Sequence, residues 1–205
     1  MEINDKHHIL KNIHVPGEMV LELGCGSRKH HKDAVGIDIL DYDDVDIQGD
    51  VHSVLKEIPD NRIAAVYAYH FFEHVDDLKG LIREIERILQ NDGRLEVVVP
   101  HFSNPYFYSD YTHTTHFGLY SFSYFARDDI FSRKVPRYQE RTLFILEEVG
   151  LIFKSPRPFY IRWAIKKTFQ FIFNLNTYLK ELYEEFFCYL VPCYEIKYTL
   201  RLQKE

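Results

Sequence analysis

Cysteine is scarce: three in 205 residues, Cys25, Cys188 and Cys193, an odd set with no C-x-x-C spacing. That excludes a disulfide framework and a zinc site of linked thiolates, and it makes a reducing, cytoplasmic compartment the expectation. Long apolar runs are missing too. No stretch approaches the ~18 residues that cross a bilayer, and the opening MEINDKHHIL lacks the basic-then-apolar pattern of a secretion signal. Nor is there a surplus of positive charge. Lys and Arg number 25 against 31 Asp and Glu, a net −6, which argues against a broad grip on nucleic acid. Tryptophan occurs once, yet aromatics reach 16% through Tyr and Phe. The remaining composition, 46% hydrophobic and 27% charged, is that of an ordinary globular chain, with length for one domain over 1–205.

The charge is uneven. From Gly150 to Lys180 stand six bases (Lys154, Arg157, Arg162, Lys166, Lys167, Lys180) and no acid, so the rest of the chain carries −12. Phe159, Tyr160, Trp163, Phe169, Phe171, Phe173 and Tyr178 are interleaved with them. This basic aromatic segment, 154–190, has an apolar stripe at helical spacing and reads as a helical insertion before the final strand. Three roles compete for it: a crossover packed on the sheet, a homodimer contact or lid, and a surface for a membrane or a phosphorylated acceptor.

Hydrophobic patterning gives strands at 19–23 (MVLEL), 34–39 (AVGIDI), 45–51 (VDIQGDV), 63–69 (IAAVYAY) and 94–100 (RLEVVVP). SRKHHKD, between the first two, is too short for a full crossover helix. Asp76 and Asp77 open a helix with Leu78, Leu81, Ile82, Ile85, Ile88 and Leu89 on one face, and NDGR at 91–94 ends it. Residues 141–153 read either as helix then strand or as a bent strand. YEIKYTLRL (194–202) alternates with period two and forms the last strand. Strands alternating with helices or short connections make the class α/β with a largely parallel sheet.

VLELGCGS (20–27) carries the chemistry. Gly24 and Gly26 let the backbone turn sharply at the carboxyl edge of the sheet, where ligands of such folds bind. A phosphate cradle wants a third glycine, which here is Lys29, or a G-K-[ST] sequence, which does not follow. The neighbouring acids suggest another ligand. Glu22 supplies negative charge beside the turn, Asp38 ends the next strand where a ribose would lie, and Asp50 could face an adenine amine. Adenine and ribose without a pyrophosphate, next to an acidic turn, describe the sulfonium nucleoside S-adenosylmethionine.

The order of E-L-G-C-G (Glu22–Gly26), the Asp38 strand, G-D-V (Gly49–Val51), Y-H-F-F-E-H-V (Tyr69–Val75) and L-Q-N-D-G-R-L (Leu89–Leu95) resembles the class I S-adenosylmethionine-dependent methyltransferases, and among them the type-11-like branch, over residues 17–125. The resemblance implies a Rossmann-like three-layer sandwich: about seven strands, mostly parallel, the last antiparallel. It implies S-adenosyl-L-methionine as cofactor, held by Glu22, Leu23, Gly24, Cys25, Gly26, Asp38, Ile39, Asp50, Val51, Tyr69 and His70. The family's acid-x-G-x-G-x-G pattern has Arg28 at its last position here.

Histidines suggest further roles. His70, Glu73 and His74 spell H-x-x-E-H, a zinc-peptidase signature when helical, but they begin at a strand end, so no metal site is expected. The aromatic loop 101–125 reads as the acceptor site. Within it Asp110 and His113 sit where relatives of this branch carry D-P-T-H; Asp110 could keep His113 basic for proton removal. His101, Tyr106, Tyr108 and His116 could line the same pocket, with His70 near the methyl group. The expected function is O-methylation of a small-molecule hydroxyl, sugar-like, phosphorylated or natural-product. An RNA or protein methyltransferase and a non-catalytic cofactor-binding module are the alternatives.

Overall fold

The computed structural model describes residues 2–13, 19–136, 138, 143–156 and 158–204. Arg157 of the basic segment and Arg141 and Thr142 of the undecided stretch lie outside them.

Met19–Leu23 (β2) is apolar on both faces apart from Glu22, as a central strand must be. It pairs in parallel with Val35–Asp38 (β3) on one side and Ile63–Tyr69 (β5) on the other. Ile47–Gln48 (β4) extends the sheet beyond β3 and Leu89–Pro100 (β6) extends it beyond β5, again in parallel. Glu195–Leu202 (β9) runs antiparallel between β6 and Phe144–Ile152 (β8), which resolves the undecided stretch as strand. Two short edge strands complete the sheet, Asn4–Asp5 (β1) beside β4 and Ala126–Asp128 (β7) beside β8. The order is β1-β4-β3-β2-β5-β6-β9-β8-β7. Among the described residues nine strands therefore replace the expected seven or so. The additional pair are two and three residues long, too short to show any period.

The connections follow from local sequence. Asp77 caps Leu78–Ile88 (α3), its Oδ1 accepting from the Gly80 amide at 2.8 Å, and Leu81, Ile82, Ile85 and Ile88 face the core. Asp92, in the left-handed region at φ 61°, makes the turn after α3, and the chain is already in β6 there. Asp50 starts Val51–Glu57 (α2) by accepting from the Ser53 amide. A four-residue helix, Ile9–Asn12 (α1), follows β1. No helix links β2 to β3. Instead Lys29 ties the loop down, donating to Asp46 at 2.7 Å and to the Ala34 carbonyl, and Asp44 accepts from the Lys29 amide. Asp44 and Asp46 thus brace the glycine loop.

Tyr160–Phe173 (α4) and Thr177–Leu182 (α5), followed by a π turn over Tyr183–Phe187, precede β9. In α4 only Phe173 is buried, while Tyr160, Ile161, Ile165, Phe171 and Ile172 are exposed. Among the described residues no helix is long and apolar enough to cross a membrane.

Candidate active site at the carboxyl edge of the sheet

The ends of β2, β3 and β5 and the start of α2 surround a cleft of 760 Å³, lined by Gly24, Asp38, Ile39, Asp50, Val51 and His70, with Phe71, His74 and Thr112 opposite. That volume lies within the ~300–1,000 Å³ of small-molecule sites.

The glycine loop owes its shape to two carboxylates. Gly24 and Gly26 have φ of 63° and 60°. Asp38 Oδ2 accepts from the Gly26 amide at 2.8 Å and Oδ1 from the Leu40 amide at 2.9 Å. A carboxylate has about four acceptor sites, so Asp38 keeps capacity for ribose hydroxyls. Glu22, 1% exposed, is turned away from the cleft: its oxygens accept from the His30 and His31 amides at 2.9 and 2.8 Å. Leu23 and Cys25 are buried beneath the loop, and burial, reinforced by Asp38, pushes the Cys25 thiol up to about 12, so it stays protonated and inert. Asp50 joins the cleft with one oxygen engaged by Ser53.

Tyr69 stands on the side where a crossover helix is missing. Its hydroxyl donates to Glu96 and meets His31 Nε2 at 2.9 Å, and His30 stacks on its ring. The next residue reverses direction. His70 adopts φ 53° and its amide donates to the Val98 carbonyl, which swings the imidazole into the cleft. There Nε2 lies 3.0 Å from Glu195 Oε1 and Nδ1 3.3 Å from Glu73 Oε1. The hydrogen bond to Glu195, then the nearby Glu73 carboxylate, raise His70 to about 9 against its partial burial. Burial opposes ionisation of Glu195, but His70 and Lys154 hold its carboxyl below the ordinary value. His70 is an imidazolium at neutral pH, a donor and a charge rather than a base.

The 101–125 loop divides. Thr112 reaches the cleft, and Asp110 and His113 stand behind it. His113 Nδ1 donates to the Phe107 carbonyl at 2.8 Å, while Nε2 lies 3.7 Å from Asp110 Oδ2. His74 Nδ1 and Thr112 Oγ1 are 2.9 Å apart, and Thr112 donates to Asp110 Oδ1. Thr112 in turn holds the Asp110 carboxyl below its ordinary value. The Thr114 and Thr115 amides donate to the Glu73 carbonyl, pinning the loop on the segment after β5. His101 is a core residue, fully buried between Ser103 and Glu184. His116 packs on Phe107, and exposed Tyr108 bonds the Phe102 carbonyl. Tyr106 belongs to a second hollow with Lys154, Trp163, Lys167 and Tyr194.

The sequence by itself assigns no cleft role to His74, Thr112 or Phe71. The H-F-F-E-H run contained the signal for two of them, but which of its side chains face the cleft depends on the left-handed turn at His70.

The family described as "Methyltransferase domain", type 11, matches residues 21–97. No curated protein matches the chain. Solved structures agree in fold. YcgJ of Bacillus subtilis aligns over 96% of this chain and 97% of its own at 17% identity and TM-score 0.53. A chain of Bacillus halodurans C-125 described as a methyltransferase aligns over 98% and 100% at 18% identity and TM-score 0.51. The Haloferax volcanii complex between the Trm112 methyltransferase activator and its methyltransferase gives 98% and 89% at 16% identity and TM-score 0.53. With the glycine loop, the Asp38 strand end and this sheet order in place, residues 21–97 match the type-11 methyltransferase-domain family, and the chain shares its fold with the solved methyltransferases.

Proposed function

We propose that the protein methylates a hydroxyl of a small, anionic acceptor. The observation that carries this reading is the pairing of a nucleoside-sized cleft with a separate basic, aromatic hollow, joined through His70, Glu195 and Lys154. Bound S-adenosylmethionine would supply an activated methyl group. Gly24 and Gly26 would hold its amino-acid end, Asp38 the ribose, and Ile39, Asp50 and Val51 the adenine.

The chain's own residues would then orient the acceptor. Lys154 and Lys167, with Tyr106, Trp163 and Tyr194, offer charge and ring faces to a phosphorylated or otherwise anionic group. His74 and Thr112 meet the hydroxyl, and the Asp110–His113 pair behind them receives its proton. Alignment contributes most of the rate, roughly 7–11 kcal/mol, and a positioned base about 10²–10⁴-fold.

Thermal unfolding with S-adenosylmethionine, its demethylated product, NAD and ATP tests the cofactor. At about 100 times its dissociation constant a ligand adds roughly 2.7 kcal/mol, or roughly 5–11 °C for a chain of this length. A shift confined to the sulfonium pair, followed by label transfer to phosphorylated hydroxyl compounds and not to RNA or protein, supports the proposal. Transfer to macromolecules alone would sink it.

A further inference from the structure

We infer that Glu73, His74 and His113 form a binding site for a divalent transition-metal ion of the zinc type. One ring nitrogen of each histidine and one Glu73 oxygen lie within 4.8 Å of one another. Three independent features make this more than a chance cluster.

Glu73 is fully buried, and neither of its oxygens has a hydrogen bond of good geometry. His70 Nδ1 is 3.3 Å from Oε1, misaligned for a hydrogen bond. The His70 imidazolium offsets part of the Glu73 charge, but both oxygens stay without a hydrogen bond, which is costly in a buried carboxylate unless a further cation compensates them.

Both histidines have their Nδ1 atoms engaged. His113 Nδ1–H donates to the Phe107 carbonyl, which fixes the tautomer whose Nε2 carries a lone pair. His74 Nδ1 lies against Thr112 Oγ1, whose own proton goes to Asp110 Oδ1. With that proton committed, Thr112 can only accept from His74, and this ring too presents Nε2 as a lone pair. An outer partner on the other ring nitrogen is how proteins orient metal-binding imidazoles.

A second carboxylate stands beside the cluster. Asp110 Oδ2 lies 3.7 Å from His113 Nε2. Two imidazoles and one or two carboxylates are a donor set suited to zinc. An ion equidistant from three atoms 4.8 Å apart would sit roughly 2.8 Å from each, against ~2.0–2.2 Å for zinc bonds. Closing by about 0.6–0.8 Å needs only small side-chain rotations.

The sequence expectation of no metal rested on the H-x-x-E-H run lacking a helix. The site uses that run differently: Glu73 and His74 contribute, His70 serves the cleft, and the third ligand arrives from the loop 39 positions beyond His74. Occupancy would clamp residues 110–116 onto the end of β5 and fix Thr112 at the cleft wall; it would also take up the His113 Nε2 lone pair, so a filled site and proton transfer to His113 exclude each other.

The test is titration of the metal-free full chain with Zn²⁺ by calorimetry and with Co²⁺ by visible absorption, without any methyl donor. It therefore succeeds or fails separately from the methyltransferase reading. The expected result is one equivalent bound at micromolar affinity or tighter, with tetrahedral Co²⁺ bands. Glu73→Gln and His74→Ala should each weaken binding at least tenfold, while His116→Ala should leave it unchanged. Circular dichroism checks that the variants fold, and His113→Asn serves should Glu73→Gln fail to do so. Millimolar binding only, or tight binding indifferent to Glu73 and His113, overturns the assignment.

Discussion

His70 and Glu195, separated by 125 positions, meet at 3.0 Å and join the end of β5 to the start of β9. The contact raises His70 to about 9 from an ordinary 6.5. Below pH 6.5 the imidazole is protonated in both folded and unfolded chains, and the interaction contributes fully. Between 6.5 and about 9 only the folded chain holds the proton, so the contribution shrinks, and above about 9 it is gone. Thermal midpoints should therefore fall across that window more steeply than in His70→Gln. Parallel curves for the two proteins would refute the coupling.

The two loop glycines should respond differently. A Cβ at Gly24 would lie 2.6 Å from the Phe71 ring and 2.8 Å from its Cβ, whereas one at Gly26 meets nothing within 4 Å. Gly26→Ala should cost about 1–2 kcal/mol for the left-handed backbone alone. Gly24→Ala adds overpacking and should cost about 2–4 kcal/mol. Urea unfolding of both variants measures the difference.

Asp38 and Glu22 both receive loop amides, but only Asp38 lines the cleft. Asp38→Ala should weaken S-adenosylmethionine binding about 10–100-fold, the value of one or two charge-assisted hydrogen bonds. Glu22→Gln should chiefly lower stability, by about 1–3 kcal/mol. Calorimetric titration beside denaturant unfolding separates the effects, and a reversed ranking would contradict the geometry.

His113→Ala should lower turnover of the true acceptor by about 10²–10⁴, with little change in cofactor affinity because His113 is not part of the nucleoside wall. Full turnover in a single-turnover label assay would remove it from proton transfer.

The α4 helix offers an internal contrast. Ile161 is 80% exposed and Phe173 is 5% exposed. Ile161→Ser should change stability by less than about 0.5 kcal/mol, while Phe173→Ala should cost about 3–5 kcal/mol. A large loss at Ile161 would mean that the outward apolar face is covered in solution.

The central strands, the cap at Asp77 and the glycine loop with Asp38 beyond it were legible in the sequence, because each depends on neighbours within a few turns of chain. Patterning alone also implied the α/β class. Two edge strands were too short to read, and the inward side of β8 was set by its partner β9.

What the sequence determined by itself is the local chemistry: which residues can turn, cap and pair in strands. What the tertiary structure decided is which side chains share a space. Glu22 braces the loop because missing crossover helicity brings the His30 and His31 amides onto it. His70 becomes an imidazolium because β9 delivers Glu195. Glu73 and His74 acquire His113 because the aromatic loop folds back on the end of β5. Each is a long-range encounter fixed by sheet order and packing, and no spacing along the chain encodes such distances.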